Sequence, residues 1–98
     1  MCIKVEKDGV VVTTLKEERT EMCGYTLYSL SIGGIERYLI NATSDGDTDI
    51  QMVGGTKAQA EELFQRICDS EISCHHLEDV ADDYRKQIKY VSFKIFNL

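Results

Sequence analysis

The sequence predicts an α+β domain: an antiparallel sheet of two consecutive β-hairpins, followed by two helices packed on one face of it. Three observations carry this prediction. Residues 2–40 alternate apolar and polar around two glycine-bearing turns, residues 56–88 carry apolar residues at helical spacing, and no proline interrupts either half. Strands followed by helices, rather than strands alternating with helices, point to a sheet with its helices on one side.

The first hairpin is "CIKVEKDGVVVTTL". Asp8-Gly9 supplies the two positive-φ residues of a type I′ turn, which sets Val5 opposite Val12 and Lys7 opposite Val10. Ile3, Val5, Val10 and Val12 then share one face. The second is "YTLYSLSIGGIERYLINA", turning at Gly33-Gly34, with Ile32 opposite Ile35 and Tyr28 opposite Leu39. Its face of Tyr28, Leu30, Ile32, Ile35 and Leu39 is assigned to the core. Tyr25, Leu27, Tyr38 and Ile40 lie on the other face, which is too apolar to be left in water. Either the chain's own tail covers that second face or a partner does, and cover by the tail is the expected arrangement.

"TSDGDTD", residues 43–49, reads as a polar loop and "IQMV" as a short edge strand. The first helix opens at Thr56, an N-cap completed to a capping box by Gln59. Ala60, Leu63, Phe64, Ile67 and Cys68 form its apolar stripe. The second helix opens at Ser73, with Leu77, Val80, Ala81, Tyr84 and Ile88 as its stripe. Its early turns are acidic and its last is basic, as the helix dipole favours. In the tail "KYVSFKIFNL", β-branched and aromatic residues argue for a strand. Leu77, Ala81, Tyr84, Ile88, Val91, Ile95 and Leu98 also follow the alternating spacing of four and three that a continuous helix would present as a dimerising seam. The tail, 90–98, is assigned to a short docked C-terminal strand, with helix extension as the alternative.

The 98 residues make one domain, 1–98, of ordinary soluble composition, 43% hydrophobic and 29% charged. A net charge of −6, from 17 acidic and 11 basic residues with no basic cluster, argues against nucleic acid. No apolar run approaches the ~20 residues of a membrane helix, and the charged N-terminus is no signal peptide. A cytoplasmic protein is expected, its four cysteines reduced and free of any CxxC pairing.

The stretch "ISCHHLEDVADDY" holds the chain's two histidines beside a cysteine. Cys68, Cys74, His75 and His76 are residue types that zinc takes, but His75 and His76 are adjacent and diverge by ~100° on a helix. Cys68 belongs to an apolar stripe. One histidine with Asp79 or Asp82 could make a weak surface site. Cys74 at a helix start would have its thiolate favoured by the dipole, yet no histidine is placed as its base. The expected role of the stretch is structural: the start of an acidic amphipathic helix. "DGDTD" fails the calcium-loop pattern, with Ile50 where a glycine and Thr56 where a glutamate would stand. "GGTK" has the wrong order for a phosphate-binding loop.

The pieces "YTLYSLSI", "AEELFQRICDSEIS" and "HHLEDVADDY", residues 25–84, resemble a family of short uncharacterised Firmicutes proteins grouped as a domain of unknown function. The resemblance implies an α+β fold, a bacterial cytosolic protein and a His76–Asp79 pair that fixes the entry of the second helix, and it brings no activity.

The sequence therefore points to an acidic, non-catalytic regulatory or protein-interaction module with no cofactor. Its expected partner is another protein or a second copy, bound through Tyr25, Tyr38, Ile40 or residues 91–98. The alternative is a metal- or thiol-dependent site at the start of the second helix, on Cys74, His75, His76 and Asp79. An acidic inhibitor of a basic nucleic-acid-binding surface ranks last, because −6 is a small charge for such mimicry.

Overall fold

The computed structural model describes the backbone of residues 4–7 and 9–96 and the side chains of residues 9–86. Five strands form one antiparallel sheet in chain order: β1 (Lys4–Lys7), β2 (Val10–Arg19), β3 (Cys23–Ile32), β4 (Ile35–Ser44) and β5 (Asp47–Val53). Helices α1 (Lys57–Asp69) and α2 (Leu77–Phe96) follow, joined through a 3₁₀ turn at Cys74–His76. The α+β prediction holds: the two expected hairpins, β1–β2 and β3–β4, join in one antiparallel sheet, and a fifth strand extends it.

Both expected registers are present: Val5 pairs with Val12 and Lys7 with Val10, and Ile32 pairs with Ile35 and Tyr28 with Leu39. Gly33 and Gly34 have φ of 57° and 82°, the left-handed backbone that this two-residue loop demands. Asp8 and Ile3 lie outside the described residues.

The expected polar loop at 43–49 is instead a third hairpin. β4 continues to Ser44, Asp45 and Gly46 take φ of 52° and 82°, and Ser44 pairs with Asp47. Asp-Gly is the same turn signal as in the first hairpin, and aspartate tolerates the left-handed region because its short side chain can bond locally. β2 also runs past its expected end to Arg19 and pairs with β3, with a bulge between Thr14 and Lys16. The bulge moves Lys16 and Glu18 onto the face of Leu27 and Tyr25 and lets Leu15 pack against the core.

α1 matches the expectation in both cap and stripe. Thr56 Oγ1 accepts from the Gln59 N–H at 3.2 Å, and Gln59 Oε1 accepts from the Thr56 N–H at 2.8 Å. Ala60, Leu63, Phe64, Ile67 and Cys68 are the buried residues of this helix. Ser73 caps the 3₁₀ turn through the His75 N–H at 3.3 Å, and α2 proper begins at Leu77. The expected C-terminal strand does not form over residues 90–96. The helical alternative is realised, since no glycine or proline breaks the backbone and α2 continues to Phe96. Residues 97–98 lie outside the described residues.

The core lies between the helices and the sheet face of Tyr25, Leu27, Tyr38, Ile40 and Val53. This reverses the assignment made from the sequence. Alternation fixes which residues share a face but not which face the helices choose. Ala42 on β4, Ala60 on α1 and Ala81 on α2 are fully buried in this core beside Tyr25 and Phe64, small side chains that leave room for the larger ones.

Candidate interaction surface

Because α1 and α2 both pack on one face, no layer among the described residues covers the opposite face of the sheet. The molecule is 19 Å through its thinnest dimension, the depth of one sheet and one helix layer at about 10 Å each. Cross-strand pairs identify the uncovered face: Val10 with Ile32, Val12 with Leu30, Tyr28 with Leu39, and Leu39 with Met52. Ile50, paired with Asn41, extends it along β5. Ile32 is 51% exposed, Ile35 57%, Ile50 51% and Met52 45%. Tyr28, Leu30 and Leu39 between them are half-buried by their neighbours alone. Scattered exposed aliphatics are ordinary on a surface, whereas a contiguous apolar patch across several strands marks a site of association.

The same face turns polar towards the β2–β3 turn. There an open hollow of about 480 Å³ is lined by Glu17, Arg19, Thr26, Asn41 and Asp45, among others, and flanked by exposed Met22. Its charges are of both signs, so it presents no single ligand chemistry.

The residues expected to bind a partner are distributed differently. Tyr25, Tyr38 and Ile40 are 2%, 6% and 0% exposed, inside the core. The Tyr25 hydroxyl donates to the Ile72 carbonyl at 2.8 Å, tying β3 to the segment between the helices. Burial, followed by its contact with Cys23, pushes the Tyr25 phenol well above its ordinary pKa. The Tyr38 hydroxyl donates to Glu36 Oε2 at 3.1 Å, and burial raises this phenol as well. The surface expected at residues 91–98 lies outside the described side chains.

The Cys74-His75-His76 stretch is spread between core and surface, with Cys74 buried and His75 and His76 exposed. Cys74 is 3% exposed, its N–H donates to Ser44 Oγ at 3.1 Å, and its Sγ lies 3.9 Å from the Ser44 carbonyl oxygen. Ser44 Oγ also lies 3.2 Å from Cys23 Sγ, so this one hydroxyl joins β3, β4 and the 3₁₀ turn. His75 Nε2 faces Asp47 Oδ2 at 3.4 Å with both side chains exposed, a contact of small energetic weight. Among the described residues no hydrogen bond or ion pair joins His76 to Asp79, both exposed. Helix entry is instead fixed by Ser73, Ser44 and Tyr25. No group of three or more His, Cys, Asp or Glu side chains converges as a metal-ligand set among the described residues. Cys68 is buried in the core, and burial, reinforced by Glu18, pushes its thiol up to about 12. A thiol so held is protonated and inert.

The outer edge of β5 is shielded from the helix side. Arg85 of α2 donates to the Met52 carbonyl and pairs with Asp82. Among the described residues no helix is long and apolar enough to cross a membrane.

Comparison with protein-family models, curated proteins and solved structures finds no match for this chain.

Proposed function

We propose that the chain is a small, non-catalytic protein-interaction module that binds through the open face of its sheet. The observation that carries this reading is the grouping of Ile32, Ile35, Ile50 and Met52, each about half exposed, on the one sheet face that no helix covers. Leaving such a patch in water exposes it to aggregation, so a fold that keeps it gains from covering it on association. A regulatory role, acting by occupying a partner, fits a module of this size. Three buried free thiols suit a reducing compartment and support a cytoplasmic location. The resemblance over residues 25–84 supports a bacterial origin and adds no activity.

Photocrosslinking in cells tests the reading. A photoreactive residue replacing Ile35 is expected to give adducts of one or a few discrete masses, the chain's own dimer among those scored. The same residue at exposed Gln65 on α1 is expected to give none. Absence of adducts at position 35 and also at position 50 refutes the reading.

A further inference from the structure

We infer that the occupant of the open sheet face is a second copy of this chain, packed sheet against sheet in a two-fold symmetric dimer. The inference rests on the interaction-module reading and names its partner.

Area is the first argument. Strands about 4.8 Å apart, rising about 3.3 Å per residue, give the whole face, apolar centre and polar end together, roughly 650 Å². Two copies meeting over it would bury about 1,300 Å², within the ~1,200–2,000 Å² of a stable specific interface. The second argument is charge. The chain carries −6, yet the charged side chains described on this face, Glu17, Arg19 and Arg37 on the strands and Asp45 at its polar end, balance to zero. Two copies can therefore meet here without like-charge repulsion, whereas a face built for a strongly basic or acidic partner would carry the opposite excess. Shape is the third. The apolar part of the face is a plane of strands, and the hollow beside it lies at the polar end. A face of this kind takes a flat partner layer rather than a single protruding segment, as α1 and α2 together cover the opposite face. It fits another twisted sheet of the same hand, stacked ~10 Å away with side chains interleaved, as in a β-sandwich. A second copy supplies such a sheet, with Ile32, Ile35, Leu39, Ile50 and Met52 presented in both directions about the two-fold axis.

The test is light scattering on untagged, reduced protein eluting from size exclusion across a wide concentration range. The wild type is expected to reach twice its 11.1 kDa monomer mass. Ile35→Lys and Ile50→Lys, made separately, are expected to stay at the monomer mass at concentrations where the wild type is fully dimeric. Both sites are more than half exposed in the single chain, so circular dichroism of each variant is expected to match the wild type, and either variant alone decides the matter. Gln65→Lys on α1 is expected to remain dimeric. A wild type that stays monomeric throughout overturns the inference. The interaction-module reading would then stand or fall on whether position 35 crosslinks a different protein in cells. A wild-type dimer that survives both open-face substitutions also overturns it, and places the contact elsewhere on the chain.

Discussion

Leu27 and Leu39 lie on neighbouring strands and opposite faces of the sheet, and truncating each in turn measures which face is the core. Leu27 is 0% exposed beneath α1 and α2, whereas Leu39 lies on the open face and is half-buried. Leu27→Ala deletes three carbons from a closed environment, about 2.4 kcal/mol of transfer free energy at ~0.8 per carbon. The cavity left behind adds to this, giving about 3–4 kcal/mol in all. Leu39→Ala removes the same atoms from a site open to water on one side. No closed cavity forms there, and the expected cost is about 1 kcal/mol or less. For a domain of this size each kcal/mol lowers Tm by roughly 4–8 °C, so the two variants should differ by more than ~10 °C. The assay is urea unfolding with a common m-value, at a concentration where light scattering gives a monomer. Equal destabilisation, or a larger loss at Leu39, would refute the assignment of the core.

Three further outcomes are expected. Ser44→Ala leaves the buried Cys74 N–H without its acceptor and is expected to cost about 1–3 kcal/mol, with faster hydrogen exchange at the Cys74 amide; unchanged exchange there would count against the junction. Thr56→Ala removes the capping box of α1 and is expected to cost about 1 kcal/mol, which Thr56→Ser largely restores; no loss for the alanine variant would contradict the cap. Stability is expected to fall as pH rises from about 9 towards about 12, because Cys68 and Tyr25 keep their protons in the folded chain while the unfolded chain, with ordinary pKa values, releases them. The unfolded state then binds fewer protons, so stability declines with pH. Urea midpoints measured from pH 8 to 11 check this, and Cys68→Ala should flatten the decline; a wild-type midpoint that stays level to pH 11 would contradict it.

Local signals in the sequence were strong where the chain turns. Asp8-Gly9 and Gly33-Gly34 fix two-residue loops, and a two-residue loop fixes register, so the pairings Val5–Val12 and Tyr28–Leu39 could be read directly. The same Asp-Gly signal at Asp45-Gly46 was hidden by the polar residues around it. Its flanking threonines and aspartates read as loop, although threonine suits a strand. The choice of core face was not legible, because both faces of β3 and β4 are apolar. Composition favours Tyr28, Leu30 and Ile32, while the fold buries Tyr25, Leu27 and Ser29. What settles it is tertiary: room for helices over Ala42 and a carbonyl, that of Ile72, to satisfy the Tyr25 hydroxyl. The bulge at Leu15 and the bridging role of Ser44 depend on partners tens of residues away and leave no local mark. For the same reason the expected binding residues Tyr25, Tyr38 and Ile40 proved to be core. The observation behind them, that this sheet has more apolar surface than one helical layer can cover, applies to the opposite face.

The central claim is that the fold leaves the face of Ile32, Ile35 and Ile50 open in the single chain and covers it on association. The most direct measurement is solvent paramagnetic relaxation of isoleucine methyl groups at two protein concentrations. In dilute, monomeric protein the methyls of Ile32, Ile35 and Ile50 are expected to relax strongly, and those of Ile40 and Ile67, buried under the helices, hardly at all. As concentration rises the first set should become protected while the second stays as it was. Strong relaxation at Ile40, or protection of Ile32, Ile35 and Ile50 in protein shown to be monomeric, would contradict the account.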